Sequence, residues 1–160
     1  MSSVRINARV DYAVRSVVEL AAAAPDSMTA DAIATAQGIP SRFLQAILTD
    51  LQRARLVTSQ RGRDGGYRLG LPASEISIAR IMRIEQGFLA EVHGQRPEDV
   101  SYPGAAVALA PVWVAAREAY RRVLEGVTIA DVVRGELPAH AAELVAMDEA
   151  WRSFGSSTGD

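Results

Sequence analysis

The chain has no cysteine, and histidine is scarce: only His93 and His140 occur among its 160 residues. Without a thiol there can be no disulfide, no thiolate zinc site, no cysteine nucleophile and no cluster that needs cysteine ligands. The two histidines are far apart and show no H-x-x-x-H spacing, so we expect no metal site. A weaker alternative is a divalent cation near His93, where Glu91, Glu98 and Asp99 supply oxygen donors.

Long hydrophobic runs are also missing. The uncharged stretch over residues 100–116 is 17 residues long and contains two prolines and a glycine. It falls short of the roughly 20 apolar residues that a membrane span requires. Arg15 and Glu19 interrupt the first apolar segment, so we predict no signal peptide and no membrane partner. The expectation is a soluble, cytoplasmic protein.

Lysine is absent too, so all 17 basic side chains are arginines, against 19 acidic ones. Residues 1–80 hold ten arginines and seven acids, whereas residues 81–160 hold seven arginines and twelve acids. The two halves therefore carry opposite net charge. Guanidinium groups suit phosphates and base edges better than ammonium groups do.

An apolar content of 49% is enough for one folded domain, with or without a helical arm.

Helical periodicity dominates the first half of the chain. Apolar spacing predicts a helix over residues 6–24. Thr29 is placed to cap a second helix over residues 30–37, and Gly38 to end it. Pro40 suits the first turn of a third helix, whose buried side would consist of Leu44, Ile47, Leu48 and Leu51. Helix, glycine turn and helix form the outline of a helix-turn-helix.

The pattern changes to strand after this third helix. Residues 57–60 tolerate β-structure, Asp64, Gly65 and Gly66 form a hairpin turn signal, and a second strand follows at Tyr67. Two short strands need helices to pack on. We therefore predict a winged helix-turn-helix domain over residues 1–86, in a mainly α fold with a small β-hairpin.

The second half is predicted to be mostly helical. Ser77 begins a short helix, residues 87–104 form a loop, and a long helix starts near Ala105 or Pro111 and ends at Glu125. This long helix and a short one capped by Thr128 make up residues 105–135.

Beyond that point we expect one extra C-terminal helix, at residues 136–154, and a flexible tail at residues 155–160. The helix would carry an apolar stripe formed by Leu144, Met147, Trp151 and Phe154.

The third helix carries polar residues near its beginning, where a helix-turn-helix reads DNA bases. Ser41, Arg42 and Gln45 are expected to face outward there. Arginine can pair with guanine, and glutamine with adenine. Thr49 and Arg53, one and two turns later, are better placed for the phosphate backbone.

The predicted hairpin tip is basic and rich in glycine. Arg61 and Arg63 would bring positive charge to the narrow minor groove, and Gly65 and Gly66 would let the backbone approach the duplex. The alternative is that the arginines only solvate the hairpin. Two arginines beside a helix-turn-helix favour contact with double-stranded DNA.

Residues 38–45 read Gly-Ile-Pro-Ser-Arg-Phe-Leu-Gln, and residues 61–69 read Arg-Gly-Arg-Asp-Gly-Gly-Tyr-Arg-Leu. Together they resemble the bacterial Rrf2 family of winged-helix transcription regulators, and the Arg-Gly-x-x-Gly-Gly-Tyr-x-Leu wing is the most specific part. Supporting segments are residues 12–14, 56–57, 75–78 and 124–131. The resemblance covers residues 5 to about 135.

This resemblance implies a homodimer on a partly palindromic operator, usually acting as a repressor, with the long helix at the two-fold interface. The interface stripe would comprise Trp113, Ala116, Arg117, Tyr120, Val123 and Leu124. The alternative is that the stripe is buried against its own domain.

The family also implies a sensor. Well-studied members hold an iron-sulfur cluster through three cysteines in the loop before the long helix, but residues 91–104 contain no thiol, which excludes such a cluster. Members without the cluster respond to a partner protein or a small ligand. An effector pocket lined by Tyr102, Trp113 and Trp151 is one hypothesis, and core packing of these aromatics is the other.

Other functions have less support in the sequence. The runner-up is a winged helix used for protein association without DNA binding, which the overall excess of acidic residues favours. An enzyme is not predicted, because no glycine-rich loop opens a helix and no serine, histidine and acid group by spacing.

Overall fold

The computed structural model describes residues 6–87 and 89–152. In these ranges the chain forms seven α-helices and one two-stranded antiparallel hairpin. The helices and strands, in chain order, are α1 (Ala8–Ala23), α2 (Ala30–Gln37), α3 (Ser41–Arg53), β1 (Val57–Gln60), β2 (Gly66–Leu69), α4 (Ile78–Gln86), α5 (Leu109–Gly126), α6 (Ile129–Arg134) and α7 (Ala139–Val145). None of the described helices is long and apolar enough to cross a membrane.

Side-chain caps define where most of these helices begin. Thr29 accepts a hydrogen bond from the Ala32 N–H at 3.1 Å, and Ser77 accepts one from the Arg80 N–H at 3.2 Å. Thr128 and Asp131 form a reciprocal capping box at the start of α6. Gly38 ends α2 with a φ of 62°, in the left-handed region that favours glycine. The predicted caps are therefore confirmed.

The apolar face of α3 is the centre of the core. Leu44, Ile47, Leu48 and Leu51 are each at most 1% exposed, as the helical spacing predicted. They form one buried cluster with residues of α1, α2, α4 and α6.

Helix α6 belongs to this core, although the sequence grouped it with the long helix. The Ile78 N–H donates to the Val127 carbonyl at 3.1 Å, and the Ile129 N–H donates to the Ile76 carbonyl at 2.8 Å. These bonds hold the start of α6 against the start of α4, and Ile129 is fully buried. The chain thus leaves the winged helix through α5 and returns to it at residue 127.

The C-terminal helix is shorter than predicted. Helix α7 ends at Val145, Met147 is extended, and a short 3₁₀ turn follows at Asp148–Trp151. The Trp151 indole donates to the Val145 carbonyl at 2.8 Å, which satisfies a carbonyl that a continuing helix would have used. Leu144, Met147 and Trp151 are exposed, so no packing in the described chain holds them in one helix. Phe154 and residues 155–160 lie outside the described residues.

The hairpin docks on the helices through a third extended segment. Strands β1 and β2 pair from Val57 with Leu69 to Gln60 with Gly66. Met28, between α1 and α2, exchanges two backbone hydrogen bonds with Tyr67, at 2.9 and 2.7 Å. Gly66 has a φ of 144°, and a Cβ there would lie 2.5 Å from the Met28 carbonyl oxygen. Only glycine fits this close approach.

A partly buried ionic group joins α1, α3 and α4. Arg9 pairs with Asp50 through Nη2, and its Nε lies 2.5 Å from Glu85 Oε2. The Glu85 side chain is fully buried, and its Oε1 has no hydrogen-bond partner among the described residues. Burial raises the pKa of Glu85 above its ordinary value, and the attraction of Arg9 opposes this shift.

Replacing Gly66 with alanine should loosen the hairpin. The strained φ and the overlap with the Met28 carbonyl should together lower the free energy of unfolding by roughly 2–4 kcal/mol. Urea unfolding followed by circular dichroism measures this. Asp64→Ala, at the exposed hairpin tip, is the control and should cost less than about 0.5 kcal/mol. Equal stability of the two variants would contradict the role assigned to Gly66.

Glu85 should make stability depend on pH in an identifiable direction. Between the ordinary glutamate pKa and the raised pKa of Glu85, the folded chain holds a proton that the unfolded chain has lost. The free energy of unfolding should therefore fall as pH rises through that window. Glu85→Gln should reduce this fall, and Glu75→Gln, at an exposed glutamate, should not. Parallel stability profiles for wild type and Glu85→Gln, measured by urea unfolding across the pH range, would refute this.

Candidate nucleic-acid interface

The buried face of α3 directs its opposite side outward. Ser41, Arg42 and Gln45 are exposed at the start of the helix, and the Arg53 side chain is 78% exposed at its end. Thr49 is half-buried, and its hydroxyl donates to the Gln45 carbonyl at 2.8 Å. Pro40 precedes the helix and supplies no side-chain cap. The first N–H groups of α3 therefore add to the positive potential at this end.

Arg42 rests on an aromatic support that the sequence analysis missed. Its guanidinium carbon lies 4.7 Å from the centroid of the Phe43 ring. Phe43 in turn lies 6.3 Å from the ring of Tyr12 on α1. A cation above an aromatic face has fewer accessible positions than a free arginine. The available signal was an apolar residue that the helical spacing leaves off the buried side of α3.

The hairpin and α3 contact each other directly. Gln45 Nε2 lies 3.4 Å from Tyr67 Oη, and Gln52 Nε2 donates to Ser59 Oγ at 2.8 Å. The first contact links the predicted base-reading surface to β2, and the second links the end of α3 to β1. Neither Tyr67 nor Gln52 was a predicted site residue. These contacts fix the orientation of the hairpin relative to α3.

The hairpin tip is exposed from Arg61 to Asp64. The Gly65 N–H donates to the Gly62 carbonyl at 2.9 Å, and Ser27 Oγ donates to the Asp64 carbonyl at 2.8 Å. A Cβ on Gly65 would lie 2.7 Å from the Gln60 carbonyl oxygen. Gly65 and Gly66 are thus needed for contacts within the chain, whether or not they also approach DNA.

Pairing with carboxylates separates the arginines into two groups. Within the described ranges, Arg42, Arg61 and Arg63 have no ion pair, and the same is true of Arg55, Arg68, Arg80 and Arg152. Most other described arginines lie within 4 Å of an aspartate or glutamate. The three arginines predicted for base and groove contact are therefore available to an external anion.

Helix α5 is the most exposed long element of the chain, since none of its residues is buried. The side chains of the predicted interface stripe face in two different directions. Arg117 pairs with Glu98, and Tyr120 Oη lies 3.9 Å from Met82 Sδ, so these two side chains face their own subunit. Trp113 and Ala116 of the predicted stripe are exposed, Trp113 by 37%, whereas Val123 and Leu124 are half-buried. The neighbouring Val112, which was not part of the predicted stripe, is 53% exposed.

The three aromatics of the hypothetical effector pocket have different hydrogen-bond partners. The Trp113 indole donates to Tyr102 Oη at 3.0 Å, so these two residues are joined. Trp151 is 77% exposed and bonds to its own segment through the Val145 carbonyl.

Comparison with known proteins agrees with this geometry. The family model described as "Rrf2: Iron-dependent Transcriptional regulator" matches residues 6–135. The chain belongs to the Rrf2 family. A Mycobacterium tuberculosis protein named as an HTH-type transcriptional regulator is 49% identical over 141 residues, which is 88% of each chain. An rrf2-like HTH-type regulator of Rhodobacter capsulatus is 32% identical over 84% of this chain and 95% of its own.

Solved structures show the same fold. CymR, the global cysteine regulator of B. subtilis, has a TM-score of 0.72 and 25% identity, covering 83% of this chain and 98% of its own. IscR of T. potens has a TM-score of 0.68 and 24% identity, covering 89% of this chain and 91% of its own, and it supports the fold alone. The predicted winged-helix fold is confirmed, and this Rrf2 protein is a DNA-binding transcriptional regulator.

The word "iron-dependent" in the family description does not fit the donor set of this chain. The sequence contains no cysteine to hold a cluster. In residues 6–87 and 89–152, no group of three or more histidine, aspartate or glutamate side chains is arranged to hold a metal ion. His93 has a φ of 51° in a tight loop where Val92 and Gln95 exchange backbone hydrogen bonds.

Proposed function

We propose that this Rrf2 regulator represses transcription as a homodimer on a partly palindromic operator, without an iron-sulfur cluster and without enzymatic activity. The observation that carries the proposal is the set of unpaired arginines on two linked elements. Arg42 lies at the start of α3, and Arg61 and Arg63 lie at the tip of a hairpin that contacts α3 through Tyr67 and Ser59. Because its partner is chromosomal DNA, we place the protein in the cytoplasm.

The contacts with DNA divide by position. Ser41, Arg42 and Gln45 would read base edges in the major groove, because they are exposed at the leading end of α3. Arg61 and Arg63 would enter the adjacent minor groove. Thr49 and Arg53 would contact phosphates.

Arg53 is less available to a phosphate than Arg42, Arg61 and Arg63 are, because it lies near a carboxylate of its own chain. Its Nη1 lies 3.5 Å from Asp50, which Arg9 also binds, so part of its charge is offset within the chain.

The apolar residues on the outer side of α5 support the homodimer. Val112 and Ala116 lie one turn apart, which places them on the same side of the helix, and Val107 is 67% exposed in the 3₁₀ turn before it. A second copy of the same helix would cover this surface, since a two-fold axis brings equivalent patches together. The interface we propose therefore centres on Val112, Trp113 and Ala116, and Arg117 and Tyr120 contribute from within their own subunit.

Substitution of the arginines should separate specificity from affinity. Arg42→Ala should lower the preference for operator over random DNA by roughly tenfold or more, because one bidentate base contact is worth about 1–3 kcal/mol. The double change Arg61→Ala and Arg63→Ala should weaken binding to both DNAs. It should also reduce the slope of log affinity against log salt by about two, since each phosphate contact releases counterions. Arg134→Gln on α6 is the matched control and should bind as wild type.

These measurements need the operator, which sequencing of the genomic fragments retained by the purified protein provides. Fluorescence anisotropy from 50 to 200 mM salt then gives both affinities and slopes. If the Arg42, Arg61 and Arg63 variants all bound operator and random DNA as wild type does, the proposed interface would be wrong.

Disruption of the α5 surface should yield monomers. Val112→Glu combined with Ala116→Glu would place like charges opposite each other across the two-fold axis, besides removing apolar contact. We expect the dimer dissociation constant to rise at least 100-fold, measured by sedimentation equilibrium. Ala22→Glu, an exposed position on α1, is the control and should remain dimeric. A wild-type protein that sediments as a monomer would contradict the interface.

A further inference from the structure

An open cavity with both polar and apolar lining lies between the winged helix and α5. It has a volume of about 400 Å³, a size typical of small-molecule sites. Four arginines line it: Arg83 from α4, Arg96 from the loop between α4 and α5, and Arg117 and Arg121 from α5. Among the described lining residues, Glu98 is the one acidic side chain.

The carboxylates that pair with three of these arginines are not part of the cavity lining. Arg83 pairs with Glu125, Arg96 with Asp99 at 2.8 Å, and Arg121 with Glu118 at 2.9 Å. The lining itself therefore holds four arginines and one glutamate, and each of the four arginines is paired with a carboxylate. The side chains of Arg83, Arg96 and Arg121 are 44–53% exposed.

These guanidinium groups retain N–H donors for a ligand. A guanidinium carries several N–H groups in a planar fork that matches carboxylate and phosphate oxygens. In the described chain, Arg96 and Arg121 each make one side-chain hydrogen bond, in both cases through Nε. Their terminal nitrogens are thus open to an anion.

The Glu98 carboxylate shows how an acidic group can bind between these arginines. Glu98 Oε2 pairs with Arg117 Nη1, and Glu98 Oε1 lies 4.0 Å from Arg96 Nε. Glu98 belongs to the Pro97–Asp99 turn, in which Pro97 is buried. The chain therefore places its own acid group between two of the four arginines.

We propose that this cavity binds a small anion with at least two acidic groups, either carboxylates or phosphates, and that one of these groups displaces Glu98 from Arg117. The proposal rests on the proposed function, because it names the class of the unknown effector. Arg83 belongs to α4 of the winged helix, whereas Arg117 and Arg121 belong to α5. A ligand that bridges them would change how the DNA-binding domain is held relative to the dimer helix.

Titration calorimetry of the full-length protein tests this, with citrate and pyrophosphate as separate probes in a buffer without divalent cations. Chloride keeps the ionic strength constant, because citrate and phosphates also stabilise many proteins by exclusion from their surface. We expect saturable binding of one anion per chain. A response to citrate alone would identify carboxylates, and a response to pyrophosphate alone would identify phosphates.

Three variants locate the binding. Arg121→Gln should weaken the dissociation constant at least tenfold, whereas Arg122→Gln, at the next residue and outside this cavity lining, should leave it unchanged. Glu98→Gln should tighten binding several-fold, since it removes the internal competitor. Unchanged circular dichroism shows that each variant folds. Absence of saturable binding to both probes, or equal effects of the Arg121 and Arg122 variants, would overturn the proposal.

The DNA measurement separates this proposal from the function on which it rests. Operator binding without any added anion reports on the regulator alone. If operator binding is normal and neither probe binds, the cavity proposal fails while the proposed function holds. If a probe binds as expected but Arg42, Arg61 and Arg63 do not affect DNA binding, the proposed interface fails while the anion site holds.

Discussion

The burial of one side of α3 is the constraint from which the rest of the arrangement follows. Leu44, Ile47, Leu48 and Leu51 are almost fully removed from water, and each such side chain contributes about 1.5–3 kcal/mol. Side chains have fixed directions around a rigid helix, so burial of this side makes Ser41, Arg42 and Gln45 face outward. The same packing that stabilises the domain thus leaves exposed the polar side chains that we propose to contact DNA.

The hairpin obtains its position from close backbone contacts and from a few side chains. Met28 pairs with Tyr67, and Gly66 makes room for the Met28 carbonyl. Gln45 and Gln52 then connect α3 to Tyr67 and Ser59. Two strands of four residues each would not be stable alone, so the helices provide the stability and the hairpin carries the arginines.

Membership of the Rrf2 family sets the fold, but the chemistry of the loop before α5 is this chain's own. Where cluster-binding members are expected to have thiols, this chain has arginines and carboxylates that join the loop to α5. Arg117 with Glu98 is the pair that joins them, and Arg96 with Asp99 is a pair within the loop. The fold is therefore shared with the family, while the side chains of this loop cannot hold a cluster that needs thiolate ligands.

Local features of the chain were sufficient for the helix caps, the hairpin and the buried side of α3. Thr29, Gly38 and Thr128 act within a few residues of themselves, so their roles can be derived without a tertiary structure. The end of the last helix could not be derived in this way, because apolar spacing past Val145 predicts helix whether or not anything packs on it. The sequence also did not predict which side chains of the α5 stripe face their own subunit, because periodicity does not show which side of the helix contacts Met82 or Glu98.

The sequence by itself therefore determined the secondary structure of the winged helix, the residues that face its core, and the absence of thiol chemistry. Only the tertiary structure decided that α6 returns to the first domain, that Phe43 and Tyr67 contact the side chains proposed to bind DNA, and that four arginines from three elements line one cavity. The physical reason is the range of the interactions. Caps, turns and helical periodicity act over a few residues, whereas ion pairs and packing join residues that the chain separates by dozens of positions.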